Sequence, residues 1–256
     1  MPRHDVQAKH ILITGASTGL GRAMALEFAR RGARVGLIAR REEHLKSLQA
    51  EIEEAGGRAA FFATDVVNAA ALREGVLALE EALGPVYGLI ANAGIAGNTR
   101  GGLLSLEHAH RCIDVNVKGV LNSVAATQEG MIGRNEGFVS VVSSLAAYRG
   151  LPTSGPYSAS KAAVSTLLES LRVDHYRSNL TFTVIHPGFV KTPLTDAVSH
   201  PTPFMITAEK AARIMANGLI RGKREVNYPF RLAFLMTVVR RFPNFLYDWV
   251  LSRTVP

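Results

Sequence analysis

With 256 residues, 47% of them hydrophobic, the chain is long enough to bury a sizeable core within one α/β domain. Its one cysteine, Cys112, excludes an intrachain disulfide, fits a reducing compartment, and reads as a small buried hydrophobe. Most of the net charge of +8 lies at the end of the chain, where residues 207–256 carry nine Lys/Arg against three acids, yet no nucleic-acid motif accompanies it.

Residues 1–10 lack the apolar segment of a secretory signal, and no run approaches the ~18–20 apolar residues of a spanning helix. The expectation is a soluble, cytoplasmic protein.

The first predicted strand is His10–Thr14. It stops at Gly15-x-x-x-Gly19-x-Gly21, and a helical pattern then runs through Ala25, Phe28 and Ala29 to Gly32. Strands are expected at 35–39, 59–63, 87–91, 137–142 and 180–185, and a short one near 225–227. Helices are expected at 41–55, 69–83, 104–131, 157–177 and 207–220, with two apolar helical segments at 229–241 and 243–252. Residues 189–206, with Pro193, Pro201 and Pro203, read as a loop or short lid over the substrate. Short apolar strands alternating with longer helices predict a doubly wound, Rossmann-type parallel sheet of about seven strands, covered on both faces in three α/β/α layers. No linker divides the chain, so 1–256 reads as a single domain.

Ligands of such sheets bind beyond the carboxyl ends of the strands, and the chemistry-bearing motifs all fall there. Gly15, Gly19 and Gly21, with Ser17, Thr18 and Leu20 between them, follow a strand and open a helix. Glycine permits the tight turn and lets backbone N–H groups approach a pyrophosphate. The second strand ends in Ala39-Arg40-Arg41 and has no acid there. A carboxylate would bind ribose hydroxyls, whereas a guanidinium pairs with a 2′-phosphate, so NADP(H) is expected ahead of NAD(H). Arg40, nearer the strand, is the stronger candidate, and Arg41 can simply face water. Asp65 either accepts from the adenine amino group, with Val66 against the ring, or caps a turn. Asn92, Ala93 and Gly94 would bring backbone close to the cofactor ribose.

Tyr157 and Lys161 stand four apart at a helix start, hence on one face, an arrangement that lets a phenol act as an acid near neutral pH. Ser143 and Ser144 end the preceding strand; one hydroxyl faces the cleft and the other faces away. Asn116 sits mid-helix, where Asn is unfavourable by propensity, so it faces solvent or has a polar role. The eight histidines show no metal spacing, no Gly-x-Ser-x-Gly elbow follows a strand, and His186 reads as structural.

In this set of motifs, in this order across residues 10–192, the chain resembles the short-chain dehydrogenase/reductase family in its compact form. The matching residues are Thr14-Gly15-x-x-x-Gly19-x-Gly21, Asn92-Ala93-Gly94, Asn116, Ser144, Tyr157-x-x-x-Lys161 and Pro187-Gly188-x-x-x-Thr192. The resemblance implies Tyr157 as general acid/base and Ser144, by its spacing to Tyr157, as the hydroxyl that holds the substrate oxygen. It also implies Lys161 on the nicotinamide ribose, lowering the tyrosine pKa, and Asn116 fixing a water of the proton relay. Pro187, Gly188, Val190 and Thr192 would lie against the nicotinamide end of the cofactor. Ala91 departs from the family, where an Asn often precedes the Asn-Ala-Gly motif.

The implied reaction is NADP(H)-dependent reduction of a lipophilic ketone or aldehyde, reversible as oxidation of a secondary alcohol. An NAD-dependent alcohol dehydrogenase and a non-catalytic cofactor-binding protein are the alternatives. The family also implies a homodimer or homotetramer. The tail 229–256, apolar, aromatic and basic, has three readings: a wall over the substrate cleft, an oligomer interface, or a peripheral membrane contact.

Overall fold

The computed structural model describes residues 3–97, 99, 102–196 and 202–253. Six strands form first: β1 His10–Thr14, β2 Arg34–Ala39, β3 Arg58–Ala63, β4 Val86–Ala91, β5 Gly137–Val142 and β6 Leu180–Pro187. With β9 Glu225–Tyr228 they make one sheet in the order β3-β2-β1-β4-β5-β6-β9, parallel at every pairing. From β1 the chain builds outward to β3, then returns to place β4 on the other side of β1. The crevice between the ends of β1 and β4 is therefore the topological switch point, where such sheets bind ligands.

Alternation along the strands divides the core in two. Ile11, Ile13, Val35 and Leu37 point to one face, where they meet Met24 and Phe28 of α1 (Gly19–Arg30) and Leu45 and Leu48 of α2 (Glu42–Glu54). Met215 and Leu219 of α8 (Ala208–Ile220) complete that layer. Leu12, Ile38, Leu89 and Val139 point the other way, against Leu72 and Val76 of α3 (Ala69–Leu83). Val124 of α5 (Gly119–Arg134) and Val164 and Leu168 of α6 (Gly155–Asp174) pack there too. Phe28 is fully buried, so truncating it to alanine would cost about 3–5 kcal/mol.

Two stretches differ from the sequence expectation. The helix expected over 104–131 is α4 (Leu106–Ile113), a π-helical turn Asp114–Lys118, and α5. Side-chain periodicity does not register one wider turn, and π turns gather at functional sites. The loop expected at 189–206 contains β7 (Val190–Lys191), α7 (Pro193–Asp196) and β8 (Ile206–Thr207), the two strands pairing in parallel. Thr195 ties this segment down: its Oγ1 donates to the carbonyl of Val190 at 2.6 Å and accepts from the Thr192 N–H at 3.0 Å. Parts of that loop, and of the 95–103 stretch, lie outside the described residues.

The tail folds as α9 (Phe230–Val239) and α10 (Asn244–Ser252). Leu232 and Ala233 of α9 pack on Leu145, with Tyr148, Phe189 and Met236 around them.

Candidate active site

Beyond β1 the backbone turns through Gly15 at φ +67° and Gly19 at φ +57°, the left-handed region that favours glycine. Space matters as much as angle. A Cβ on Gly15 would lie 2.8 Å from the Cα of Ala93, and one on Gly21 would overlap the Gly15 carbonyl and the Asn92 amide. Asn92 fastens this turn to β4. Its Nδ2 donates to the Thr14 carbonyl at 2.9 Å, and the backbone N–H groups of Asn92 and Ala93 both donate to Thr14 Oγ1, at 3.1 and 3.2 Å. Helix α1 starts from Thr18 with no side-chain cap and no acid in its first turn. Its N-terminal N–H groups and dipole are left for an anion.

Arg41, the second candidate for a 2′-phosphate, has partners of its own. It does not simply face water: its guanidinium donates to Ser17 Oγ at 3.0 Å and Thr18 Oγ1 at 2.9 Å, across the glycine turn. Arg40 stands 3.6 Å from Asp65, whose other oxygen accepts from the Val67 N–H at 3.1 Å. Asp65 therefore makes a turn and also meets a cation, both at the end of β3.

One cleft of 290 Å³ runs along this sheet edge. It begins at Arg40, Arg41, Asp65 and Val66, passes Gly15, Ser17, Thr18, Gly19, Leu20 and Gly21, and then Asn92, Ala93 and Gly94. At the other end it meets Ser144, Tyr157 and Lys161, with Pro187, Gly188, Val190 and Thr192 along the far wall. Thr64, Ile95, Val115, Leu194 and Thr195 also line it and were not singled out from sequence. Thr195 carried a signal, a second hydroxyl three residues after Thr192, the spacing of a local side-chain turn.

The two serines divide as one in, one out. Ser143 Oγ donates to the Lys161 carbonyl at 2.8 Å and meets Ser165 Oγ at 2.8 Å, so it fastens β5 to α6. Ser144 starts the short 3₁₀ turn Leu145–Ala147, accepts from the Ala146 N–H at 3.1 Å, and lines the cleft together with Tyr157. Burial pushes the Tyr157 pKa up, and the neighbouring Ser144 hydroxyl opposes that rise. Lys161 is buried with its Nζ 5.7 Å from the Tyr157 ring centre, donating to the Val142 carbonyl at 2.8 Å. Burial lowers its pKa to about 8. In the protein alone, then, burial makes the phenol harder to ionise.

Asn116 is the one proposed catalytic residue outside the cleft. It is fully buried at the π turn. Its Oδ1 accepts from the Ile95 N–H at 2.8 Å, and its Nδ2 donates to the Ile95 carbonyl and to Ser160 Oγ, each at 3.0 Å. With the amide thus occupied, Asn116 clamps the segment after β4 to α6 and so positions the wall that carries Gly94. Cys112 lies behind it, within 3.3 Å of Asn116 Nδ2, its thiol pushed up by burial. His186 is structural: Nδ1 meets Asn227 Oδ1 at 2.9 Å and Nε2 meets Ser165 Oγ at 3.2 Å. Among the described residues no group of His, Cys, Asp and Glu could hold a metal ion.

Sequence reading missed Arg149. Its guanidinium donates to the Phe242 carbonyl at 3.0 Å and to Asn244 Oδ1 at 3.1 Å, and lies 4.1 Å from the Tyr247 ring centre. Tyr247 in turn donates to the Gly150 carbonyl at 2.5 Å. The tail is thereby latched onto the loop between Ser144 and Tyr157, some ninety residues away in sequence.

A parallel sheet with an uncapped, glycine-lined helix start at its switch point is a dinucleotide fold, and hydroxyl, phenol and ammonium at the far end of the same cleft make it an oxidoreductase site. Residues 9–202 match the short chain dehydrogenase family model. An uncharacterized oxidoreductase of Myxococcus xanthus (strain DK1622) is 41% identical over 95% of this chain and 96% of its own length. Actinorhodin polyketide ketoreductase, solved with NADPH, superposes with a TM-score of 0.81 at 25% identity over 91% of this chain and 99% of that one. A Burkholderia phymatum short chain dehydrogenase/reductase, solved with NAD, has the same fold, with a TM-score of 0.85 at 24% identity over 97% and 96% of the two chains. The chain belongs to the short-chain dehydrogenase/reductase family and is an NAD(P)-dependent oxidoreductase.

Proposed function

We propose that the chain is an NADP(H)-dependent carbonyl reductase acting on a lipophilic ketone or aldehyde. The observation that carries this reading is the group at the end of the cleft, where Ser144, Tyr157 and Lys161 line it together. The cofactor fits because its path is cleared of side chains at Gly15 and Gly21 and ends on cationic groups. When bound, the nicotinamide supplies the hydride to the carbonyl carbon.

The residues do the rest. Ser144 donates a hydrogen bond to the substrate oxygen and stabilises the negative charge that develops there. Tyr157 transfers its proton to that same oxygen, so the product is the neutral alcohol. Reduction uses the phenol as proton donor and the reverse oxidation uses the phenolate as acceptor; burial favours the phenol in the protein without cofactor. Lys161, beside Gly94 and beneath the phenol, supplies the local positive charge and a donor for a ribose hydroxyl. Asn116 holds the wall in place.

Arg40 and Arg41 favour a 2′-phosphate over a bare ribose, and the NADPH-bound ketoreductase similarity supports the same cofactor. Leu145, Phe189, Leu232 and Met236 make an apolar cluster next to Ser144 and Gly188, which supports a lipophilic substrate walled by the tail. Exposed Leu121 on α5 and Val173 on α6 support pairing of those helices in a homodimer or homotetramer.

The test is NADPH oxidation over a panel of apolar ketones and aldehydes, with NADH in parallel. The expected result is turnover of at least one, with kcat/KM higher for NADPH. Tight NADPH binding with no turnover on any of them would favour a cofactor-binding protein.

A further inference from the structure

Helices α9 and α10 rest their inner sides on one short segment. Leu232 and Ala233 pack on Leu145, and Tyr247 is held by Arg149 and Gly150. Because both inner sides meet residues 145–150, their opposite sides turn away from the protein together. That outer side is not polar. Phe230 is 80% exposed, Phe245 76%, Phe234 63% and Trp249 55%. Their spacing, 230/234 and 245/249, is one helical turn, so each helix carries an aromatic stripe. Stripes of this size left in water are interaction surfaces.

The charges around them have one sign. Arg231, Arg240, Arg241 and Arg253 are exposed, and none has an ion pair among the described residues. Asp248 is the one acid between residues 229 and 253. The Arg253 guanidinium lies 3.7 Å from the Trp249 ring centre, and Arg231 lies 5.9 Å from that of Phe204, which is itself exposed. Two copies meeting here through a two-fold axis would bring arginine against arginine, with one aspartate each in answer. A bilayer of anionic phospholipid offers both complements, an acyl boundary for the rings and phosphates for the guanidiniums. No helix among the described residues is long and apolar enough to cross a membrane, so the contact would lie along the surface.

We propose that the outer face of α9 and α10 docks on an anionic phospholipid surface. Phe230, Phe234, Phe245 and Trp249 enter the acyl boundary, and Arg231, Arg241 and Arg253 meet the phosphates. The docked face then lies directly behind the 145–150 loop. If the carbonyl reading also holds, a lipophilic substrate dissolved in the bilayer meets the cleft rim where it leaves the lipid.

The chain contains one tryptophan, Trp249, and it sits in the proposed contact. Full-length protein is mixed with phosphatidylglycerol/phosphatidylcholine vesicles or with phosphatidylcholine alone, and Trp249 emission and co-sedimentation are read; neither readout needs turnover. The expected result is a blue shift and pelleting with the anionic vesicles, with affinity at least about tenfold lower on the neutral ones. The Phe230→Ser/Phe245→Ser variant and the Arg231→Glu/Arg241→Glu variant, all at exposed positions, should each lose about tenfold or more while binding NADPH as the parent does. Unchanged emission with anionic vesicles would overturn the proposal, as would equal binding to neutral ones or unweakened binding by either variant. A dimer that the serine variant dissociates, in protein that ignores vesicles, would assign the face to a second copy instead.

Discussion

The nucleotide end of the cleft is built round a close-packed glycine turn, and the carbonyl end from side chains reaching across the chain. At the first, the Asn92 amide and the Thr14 hydroxyl hold main-chain groups of the turn, and Gly15 and Gly21 leave no room for a Cβ. At the second, Tyr157 rides on α6 and Ser144 follows β5, while the loop between them is held by Arg149 on a tail ninety residues later. A turn with no room for a Cβ tolerates little variation. A side-chain wall can be changed without disturbing the fold, which is where substrate selectivity would reside.

Four substitutions separate the two ends, from largest effect to smallest. Ser144→Ala removes the oxyanion donor and should lower kcat by about 10²–10³ while NADPH affinity stays put. An equal loss of cofactor binding would mean that the ends are not independent. Gly21→Ala drives a methyl into the Gly15 carbonyl and the Asn92 amide, an overpacking cost of about 1–3 kcal/mol. NADPH affinity should fall about 10–100-fold by calorimetry. Parent-like affinity would show that the turn relaxes more freely than its packing implies.

Arg41→Ala should weaken NADPH about tenfold, from one charge-assisted contact at a solvent-open site, and leave NADH nearly unaffected. If both cofactors weaken alike, Arg41 only braces Ser17 and Thr18. Arg149→Ala is the mildest. It loosens the tail, so KM for the carbonyl substrate should rise about fivefold with kcat little changed, the loss of about 1 kcal/mol in hydrogen bonding. A fall in kcat with KM constant would place Arg149 in the chemistry rather than the wall.

The same contrast explains what the sequence could reveal. The strands His10–Thr14 and Gly137–Val142 stand where the sequence has its apolar runs, because a parallel strand buried on both faces is mostly apolar. The glycine turn was visible because its requirement is local, three residues without a Cβ after a strand. Asn116 was visible as an oddity, but its partners Ile95 and Ser160 were not, since only the π turn and the close approach of α6 bring them together. Arg41 stayed open between a cofactor contact and a solvated charge because nothing in linear order links it to Ser17 and Thr18. The Arg149 latch was invisible for the same reason: an arginine in a Gly/Pro-rich loop gives no sign of partners at 242–247. The rise of the Tyr157 pKa depends on burial, which helical spacing does not report.

The central claim is that the Tyr157 phenol delivers the proton to the substrate oxygen. Tyr157→Phe keeps the ring and removes the hydroxyl. With NADPH affinity verified to match the parent, carbonyl-dependent NADPH oxidation by this variant should fall about 10²–10⁴-fold. Turnover within a few-fold of the parent would contradict the claim and move the proton donor elsewhere in the cleft.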